Sequence, residues 1–167
     1  MLNNISIHIC QSEEEFDIAK SITIDYMEWL GIDLCFQNID DELERFEKIY
    51  SKPEGCYIYA KYNNLVAGGV GCRKLKRSIC EMKRLYVYEK FQRIGIGKIL
   101  CEKIISVSKT LGYNKMRLDT ISKLNKAINL YEKIGFKVIA KYRENPDPSV
   151  CYMELYLEDI QTNFKKN

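Results

Sequence analysis

Residues 85–98, LYVYEKFQRIGIGK, are the stretch from which the fold and the site can be read. The apolar run at its start predicts a strand, and the glycines at 95 and 97 predict a tight turn into a helix. The first backbone N–H groups of a helix have no acceptor within the helix, and the helix dipole adds positive charge there. The turn, with Arg93 and Lys98 at its edge, is therefore suited to bind an anion such as a pyrophosphate.

Two other phosphate-binding patterns do not fit this turn. A dinucleotide fingerprint would need glycine at Leu100, and a P-loop would need glycine at Gln92 and Ser or Thr at Ile99. A glycine-bearing turn without any ligand is the remaining alternative, because glycine is the default residue of tight turns. The turn by itself leaves that alternative open.

The segments on either side of the turn predict a mixed sheet with helices on both faces. Before it, the sequence predicts strands over residues 5–10, 56–62, 65–75 and 79–88 and helices over residues 12–30 and 40–50. After it, helices over residues 96–111 and 124–134 alternate with a strand over residues 115–119, and strands over residues 136–142 and 151–157 follow. Strands 79–88 and 115–119 are joined by a helix and are therefore expected to be parallel neighbours.

Two motifs resemble signatures of the GNAT superfamily of acyl-CoA-dependent N-acyltransferases. Gln92-x-x-Gly95-x-Gly97, directly after a strand, resembles the Gln/Arg-x-x-Gly-x-Gly/Ala acyl-CoA motif of that family. Residues 125–136, NKAINLYEKIGF, resemble its second signature, which ends in Ala-x-x-Leu-Tyr-x-x-x-Gly-Phe. The resemblance extends over roughly residues 56–157, in the family's order of elements.

The resemblance implies a fold and an activity. The fold is α/β (α+β), with a mixed, mostly antiparallel sheet of six to seven strands, a central splayed parallel pair and about four helices on its two faces. A length of 167 residues favours a single domain, expected over residues 1–160, with a frayed tail over residues 161–167. The implied reaction is transfer of an acetyl group from acetyl-CoA to the primary amine of a small molecule, by direct attack in a ternary complex and without a metal.

The cofactor contacts that the resemblance implies lie on the strand, the turn and the second motif. The pantetheine arm is expected to bond to the free backbone of residues 85–87, and the pyrophosphate to the amides of residues 93–98. The expected contacts are Leu85, Tyr86, Val87, Gln92, Arg93, Ile94, Gly95, Ile96, Gly97, Lys98 and Asn125.

The resemblance also implies a general acid and a general base. The family's tyrosine at the position of Tyr131 reaches the thioester sulfur, so Tyr131 is expected to protonate the CoA thiolate; the alternative is an aromatic side chain on the buried face of a helix. Glu81 lies eleven residues before Gln92, where histone-acetylating members carry a catalytic glutamate, and is expected to accept the amine proton. A structural ion pair of Glu81 with Lys83 or Arg84 is the alternative.

Two further possibilities for the chemistry stay open in the sequence. Asp119, at the end of a predicted strand, is a second candidate for the base, although an Asp before Thr120 can also cap a turn. A covalent acyl-enzyme through Cys72 or Cys80 has no histidine nearby to activate the thiol. Direct transfer is the usual route of the family.

The acceptor amine is expected near the first two helices. Tyr26, Trp29 and Tyr142 are the expected substrate contacts, and Phe36 and Tyr152 are further aromatic candidates, although each also fits core packing. One alternative function is a non-catalytic acyl-CoA-binding or regulatory module. Another is a protein or peptide N-acetyltransferase, whose acidic groove walls would come from Asp40, Asp41, Glu42, Glu44 and Glu47.

The composition argues against several other classes of function. With 26 Lys+Arg against 23 Asp+Glu, a net charge of +3 does not predict a nucleic-acid binder. No segment has the roughly 20 apolar residues that a membrane span requires, so we expect a cytoplasmic protein with no membrane partner. Seven cysteines without a Cys-x-x-Cys pair indicate neither a zinc site nor a disulfide framework. His8 is the single histidine, so Ser-His and Cys-His mechanisms have little support. A monomer or homodimer is expected.

Overall fold

The turn lies on one mixed sheet. The computed structural model describes residues 4–31, 39–158 and 160. The strands among these residues are β1 Ile5–Ile9, β2 Cys56–Tyr62, β3 Leu65–Lys76, β4 Ile79–Val87, β5 Lys115–Ile121, β6 Lys137–Ile139 and β7 Val150–Tyr156. Their order in the sheet is β1-β2-β3-β4-β5-β7-β6. Neighbouring strands are antiparallel except β4 and β5, which confirms the predicted parallel pair.

Helices cover both faces of this sheet. They are α1 Glu13–Leu30, α2 Ile39–Glu44, α3 Phe46–Ile49, α4 Ile96–Thr110 and α5 Asn125–Ile134, and a 3-10 turn spans Glu89–Phe91. Helices α1 and α3 pack on one face in a cluster that includes Phe16 and Phe46, and α4 and α5 pack on the other in a cluster that includes Leu100 and Tyr131. The predicted mixed sheet with helices on both faces is confirmed. None of the helices in the described part of the chain is long and apolar enough to cross a membrane.

Two elements are shorter than predicted. The helix predicted over residues 40–50 is divided at Arg45, whose backbone angles (φ −103°, ψ 15°) leave the helical region. The strand predicted over residues 136–142 ends at Ile139, because the chain then enters a loop in which Tyr142 and Arg143 bind Glu81.

Local sequence signals fix both ends of α1. At its start, Ser12 Oγ accepts the backbone N–H of Glu15 while the Glu15 carboxylate accepts the N–H of Ser12, which is the capping box that the sequence predicts. At its end, Gly31 adopts φ +68° and donates its N–H to the carbonyls of Met27 and Glu28. The helix is thereby positioned with Tyr26 and Trp29 beside Tyr86 of β4.

Strands β4 and β5 pair over three residues and then separate. Residues 79–81 lie opposite residues 115–117, and the two strands continue to Val87 and Ile121 without further pairing to each other. The backbone of residues 82–87 therefore has no strand partner on the side of β5. This geometry confirms the splayed parallel pair.

A bulge in β4 lies next to this separation. Gly69 of β3 is opposite Tyr86 and Gly71 is opposite Lys83, so β4 has one residue more than β3 between these pairs. Arg84 lies in the bulge with φ +60°. A Cβ atom on Gly71 would lie 2.4 Å from the ring of Tyr50, so only glycine fits at that position of β3.

An ion pair joins the bulge to α2. The guanidinium of Arg84 donates two hydrogen bonds to the carboxylate of Glu42, Nη2 to Oε2 at 2.7 Å and Nε to Oε1 at 3.1 Å, and both side chains are 4% exposed. The hydroxyl of Tyr50 donates to the same carboxylate at 2.7 Å. Hydrogen bonds and the charge of Arg84 outweigh the effect of burial and lower the pKa of Glu42 to about 2. Glu42, one of the five acidic residues predicted to form the walls of a groove, is therefore buried in an ion pair and does not face a ligand.

Glu42→Gln is expected to lower the free energy of unfolding by about 3–5 kcal/mol, because the buried guanidinium of Arg84 would lose its charged partner. Urea denaturation at pH 7 measures the change. The matched control is Glu44→Gln on the exposed side of α2, with an expected change within about 0.5 kcal/mol. Because the pKa of Glu42 is lowered from 4.5 to about 2, its contribution is present at neutral pH and is lost as the pH falls through that interval. A loss no larger than that of the control would contradict the anchoring role of this pair.

Candidate active site

A cavity of about 710 Å³ opens where β4 and β5 separate. Its walls come from both strands, the turn before α4, the first half of α5 and the end of α1. Nine of the eleven predicted cofactor contacts line it, namely Leu85, Tyr86, Val87, Gln92, Arg93, Gly95, Ile96, Gly97 and Asn125. The other two, Ile94 and Lys98, do not line it; Ile94 is 44% exposed and the Lys98 side chain points to Glu102 on the helix surface.

The turn before α4 directs backbone N–H groups to one end of the cavity. Arg93 and Gly95 adopt φ +68° and +92°, and α4 begins at Ile96. The carbonyl of Gly95 accepts the first helical hydrogen bond from Ile99, so the N–H groups of residues 96–98 have no acceptor within the helix. The Gln92 side chain donates to the carbonyl of Val87 at 3.0 Å and holds the turn against the end of β4. This arrangement suits an anion.

Gly97 keeps the wall of the cavity open beside that turn. A Cβ atom on this residue would lie 3.8 Å from both Leu130 and Val87. A larger side chain would therefore occupy space between α5 and β4 that an elongated ligand needs.

Tyr131 of α5 lies in the cavity wall. It is 6% exposed, lines the cavity and packs against Phe136 with ring centroids 5.7 Å apart. Burial raises its pKa well above 10, so the phenol is protonated at neutral pH. Its hydroxyl makes no hydrogen bond to any side chain or backbone group that the structure describes. The position and protonation state are those that a proton donor requires.

Glu81 does not reach the cavity. Its carboxylate is fully buried and accepts hydrogen bonds from Arg73, with Nε at 3.0 Å and Nη2 at 2.9 Å, and from the Tyr142 hydroxyl at 2.8 Å. Arg143 binds its second oxygen directly. The geometry favours the alternative of a structural ion pair. Lys83 Nζ lies 3.9 Å from Glu81 Oε1, whereas Arg84 binds Glu42. The closer partners of Glu81 are arginines 73 and 143. The reason is position: Glu81 is the last residue of β4 that still pairs with β5.

Known proteins with related sequences share this organisation. The chain matches the model of the acetyltransferase (GNAT) family over residues 23–136. An uncharacterized N-acetyltransferase of Schizosaccharomyces pombe is 38% identical over 162 residues, which cover 92% of this chain and 95% of that protein. The chain belongs to the acetyltransferase (GNAT) family.

Solved structures show the same fold. An acetyltransferase from Streptococcus agalactiae superposes with a TM-score of 0.75 at 19% identity and covers 92% of this chain and 99% of that one. A putative acetyltransferase from Salmonella typhimurium, solved with its cofactor acetyl-CoA, gives a TM-score of 0.70 at 19% identity, with 95% and 96% of the two chains covered. The resemblance drawn from the two sequence motifs and the prediction of an acetyltransferase are confirmed.

The aromatic residues predicted to contact substrate divide into two groups in this GNAT chain. Tyr26 and Trp29 line the cavity, with Trp29 44% exposed and its Nε1 donating to Glu89 at 3.1 Å. Tyr142 does not line the cavity; its ring lies between the guanidinium groups of Arg117 and Arg143, at 5.3 and 5.1 Å. The prediction of Tyr142 as a substrate contact therefore loses its support, because this side chain is used to hold Glu81.

The other aromatic candidate that the structure describes and the two candidate cysteines do not line the cavity of this GNAT chain. Tyr152 packs on Tyr142 at 5.1 Å and does not line the cavity, whereas Phe36 lies outside the described residues. Cys72 and Cys80 are fully buried and absent from the cavity wall, so neither thiol meets a ligand there. Among residues 4–31, 39–158 and 160, no cluster of His, Cys, Asp or Glu could hold a metal ion.

Lys83 and Asp119 form an ion pair in the cavity wall whose role the sequence did not reveal. Lys83 Nζ lies 3.3 Å from Asp119 Oδ1, and the two side chains are 9% and 10% exposed. Burial lowers the pKa of Lys83 to about 8, and the charge of Asp119 opposes that shift. The sequence carries a signal for it, since Lys83 and Arg84 are consecutive cations in a largely apolar strand, where a charge is rarely buried without a partner.

Asp119→Asn is expected to lower the pKa of Lys83 below 8, because the ammonium would lose the carboxylate that stabilises it. The titration of the lysine Cε resonances in 13C-labelled protein measures this, with Lys83→Arg assigning the signal. Asp17→Asn, which removes a surface partner of Lys20, is the control and should leave the Lys83 pKa at about 8. An unchanged Lys83 pKa in Asp119→Asn would show that the pair is not coupled.

Proposed function

We propose that this chain is an acetyl-CoA-dependent N-acetyltransferase that transfers acetyl to the primary amine of a small molecule in a ternary complex. One observation carries the proposal: the cavity beside the separated strands β4 and β5 is also lined by the glycine-bearing turn and by Tyr131 of α5. The acetyl-CoA present in the Salmonella typhimurium structure supports the same cofactor here.

The residues present fit an acyl-CoA. Backbone groups of residues 82–87 that lack a strand partner on the β5 side would bond to the amides of the pantetheine arm. The N–H groups of residues 96–98, with the charge of Arg93, would hold the pyrophosphate, and Asn125 would contact the arm from α5. Gly97 provides the space between β4 and α5 that such a ligand needs.

Acetyl-CoA, when bound, supplies an acetyl thioester activated for attack by an amine. The chain's own groups then handle two protons. Tyr131 donates its phenolic proton to the departing thiolate: its position in the wall supports this role, and its raised pKa keeps the phenol protonated before the transfer. Backbone N–H groups near the bulge polarise the thioester carbonyl.

Asp119 is the better candidate for the group that accepts the amine proton. It is the one carboxylate that lines the cavity within the described part of the chain, whereas Glu81 lies outside the wall and is bound by two arginines. The Lys83 ammonium, 3.3 Å away, positions the Asp119 carboxylate in the cavity wall. The proton passes to Asp119 directly or through one water molecule.

Tyr131→Phe is expected to reduce kcat by about 10²-fold or more while acetyl-CoA still binds, because a positioned general acid contributes typically 10²–10⁴-fold. Thiol release under saturating acetyl-CoA measures turnover, and isothermal titration measures binding. Tyr113→Phe is the control, since its hydroxyl donates to the Glu54 carbonyl at 2.6 Å, away from the cavity. Undiminished turnover in Tyr131→Phe would remove this residue from the mechanism, and absence of acetyl-CoA binding to wild-type protein would refute the proposed function.

Asp119→Asn and Glu81→Gln distinguish the two candidate bases. Asp119→Asn is expected to lower kcat by about 10²-fold with acetyl-CoA binding unchanged. Glu81→Gln is expected to cost about 3–5 kcal/mol of stability, because it leaves Arg73 and Arg143 without a charged partner, while the folded fraction keeps its kcat within a few-fold. Active-site titration with acetyl-CoA corrects for the folded fraction. The opposite pattern, with turnover lost in Glu81→Gln alone, would restore Glu81 as the base.

A further inference from the structure

The cavity is unusually cationic for a chain of nearly balanced charge. Six charged side chains line it, and five of them are cations: Lys83, Arg84, Arg93, Lys123 and Lys126, with Asp119 the single carboxylate. Arg93 and Lys126 lie on the turn and in the first turn of α5, where they face the cofactor's phosphates in the proposed function, on which this inference rests. The other three lie toward the part of the cavity lined by Tyr26, Trp29 and Leu30 of α1, which we term the acceptor end.

The carboxylates around the acceptor end are already engaged. Glu42 is bound by Arg84, Asp119 by Lys83, and Glu81 by Arg73 and Arg143 together. Two arginines thus share one carboxylate, Nε of Arg143 is buried without a hydrogen-bond partner in the described structure, and burial lowers the pKa of that side chain to about 10. The nearby carboxylate of Glu89 accepts the Nε1–H of Trp29. With five cations and one carboxylate among the lining residues, a second ammonium group on the acceptor would meet an excess of positive charge.

Lys123 is the cation of the acceptor end without a carboxylate bound to it among the described residues. Its Nζ donates to the carbonyl of Leu30 at 3.1 Å, which leaves further N–H donors on the ammonium. The charge of Lys123 helps to lower the pKa of Asp147, which lies on the loop between β6 and β7. Lys123 and Asp147 make no ion pair in the described structure. Lys123 thus presents a positive charge at the edge of the cavity.

Asn145 provides a second donor next to the same end. It lines the cavity, and its side-chain oxygen accepts the backbone N–H of Asp147 at 3.0 Å. That bond fixes the orientation of the amide and leaves both N–H donors of its NH₂ group without a described acceptor. An ammonium and an amide NH₂ are together a suitable pair of donors for a carboxylate.

We infer that the acceptor is an α-amino acid, with its carboxylate held by Lys123 and Asn145 and its amino group directed to Asp119. The opposite charges at the two ends of this zwitterion match the opposite charges of Lys123 and Asp119, which orients the amine toward the proton acceptor. Tyr26 and Trp29 lie beside these groups and suit an apolar or aromatic side chain. Polyamines and aminoglycosides, which carry several ammonium groups and no carboxylate, do not match this charge pattern.

The test uses pairs of acceptors that differ only in the carboxylate. Phenylalanine, tyrosine, tryptophan, leucine and methionine are each compared with the amine that lacks the carboxylate, with spermidine as the polyamine, by thiol release at saturating acetyl-CoA. The wild-type enzyme is expected to acetylate at least one amino acid with a kcat/KM at least about tenfold above that of its paired amine, the effect of one charge-assisted hydrogen bond.

Lys123→Gln is expected to lower kcat/KM for the amino acid about tenfold or more, mainly through a higher KM, and to change kcat/KM for the paired amine much less, so that the ratio within the pair falls. Because the same pair is measured with wild-type and variant protein, the difference in intrinsic reactivity between its two amines cancels when the two ratios are compared. Lys123→Arg should restore part of the preference, and Lys133→Gln, on the exposed surface of α5, should have no effect. A merely structural role of Lys123 in holding Leu30 would weaken both members of the pair equally and would overturn the inference.

The remaining outcomes separate this inference from the proposed function. Acetylation of the amines or of spermidine in preference to every amino acid would overturn the inference and leave the proposed function standing. The same holds if acetyl-CoA binds but no amino acid accelerates thiol release. Failure of acetyl-CoA to bind at all would instead overturn the proposed function.

Discussion

Strands β4 and β5 separate after three residue pairs, and beyond that point the backbone groups on their facing edges have no partner in the sheet. Unpaired backbone N–H and C=O groups are costly when buried, so they must face water or a ligand. The cavity is the space that results, and Tyr131, Asp119 and most of the expected cofactor contacts lie on its walls. The sheet is continuous on the other side of β4, where β3 pairs with it along its length apart from the bulge. Strand β4 is therefore paired with β3 along one edge and, beyond Glu81, faces the cavity along the other.

Buried charges hold the separation open. Glu81 lies where the pairing ends, Lys83 and Asp119 face each other just beyond it, and Arg84 reaches from the bulge to Glu42 on α2. Each charge is largely buried and is paired with an opposite charge, as burial demands. Apolar side chains at these positions could pack together and allow β4 and β5 to approach. The ion pair between Lys83 of β4 and Asp119 of β5 instead occupies the space between the two strands. The same groups that stabilise the apex of the cavity therefore also limit how closely the strands approach.

The amino-acid sequence predicts the elements far better than it predicts which side chains meet the cavity. Period-2 and period-3.6 patterns, the capping box at Ser12 and Gly31 after Leu30 are local signals, and the structure confirms them because local geometry decides them. The point at which two strands stop pairing is a tertiary property. Glu81 and Lys83 lie two residues apart on β4, yet only Lys83 lines the cavity. Tyr142 likewise does not line the cavity, and nothing local shows that the chain leaves the sheet after Ile139 to bind Glu81.

The net charge of the chain does not indicate the charge that lines the cavity, because several carboxylates are paired with cations behind the cavity wall. The chain as a whole carries +3, which argues against a polyanion partner, whereas five of the six charged side chains around the cavity are cations. The excess arises from where the paired carboxylates lie: Glu42 and Glu81 neutralise their arginines from behind the wall and are screened from any ligand. A ligand in the cavity is exposed to the cations more directly than to their partners. Recognition by such a site depends on the distribution of charge across the wall, so an acceptor with one positive and one negative group can be oriented there without a change in the net charge of the protein.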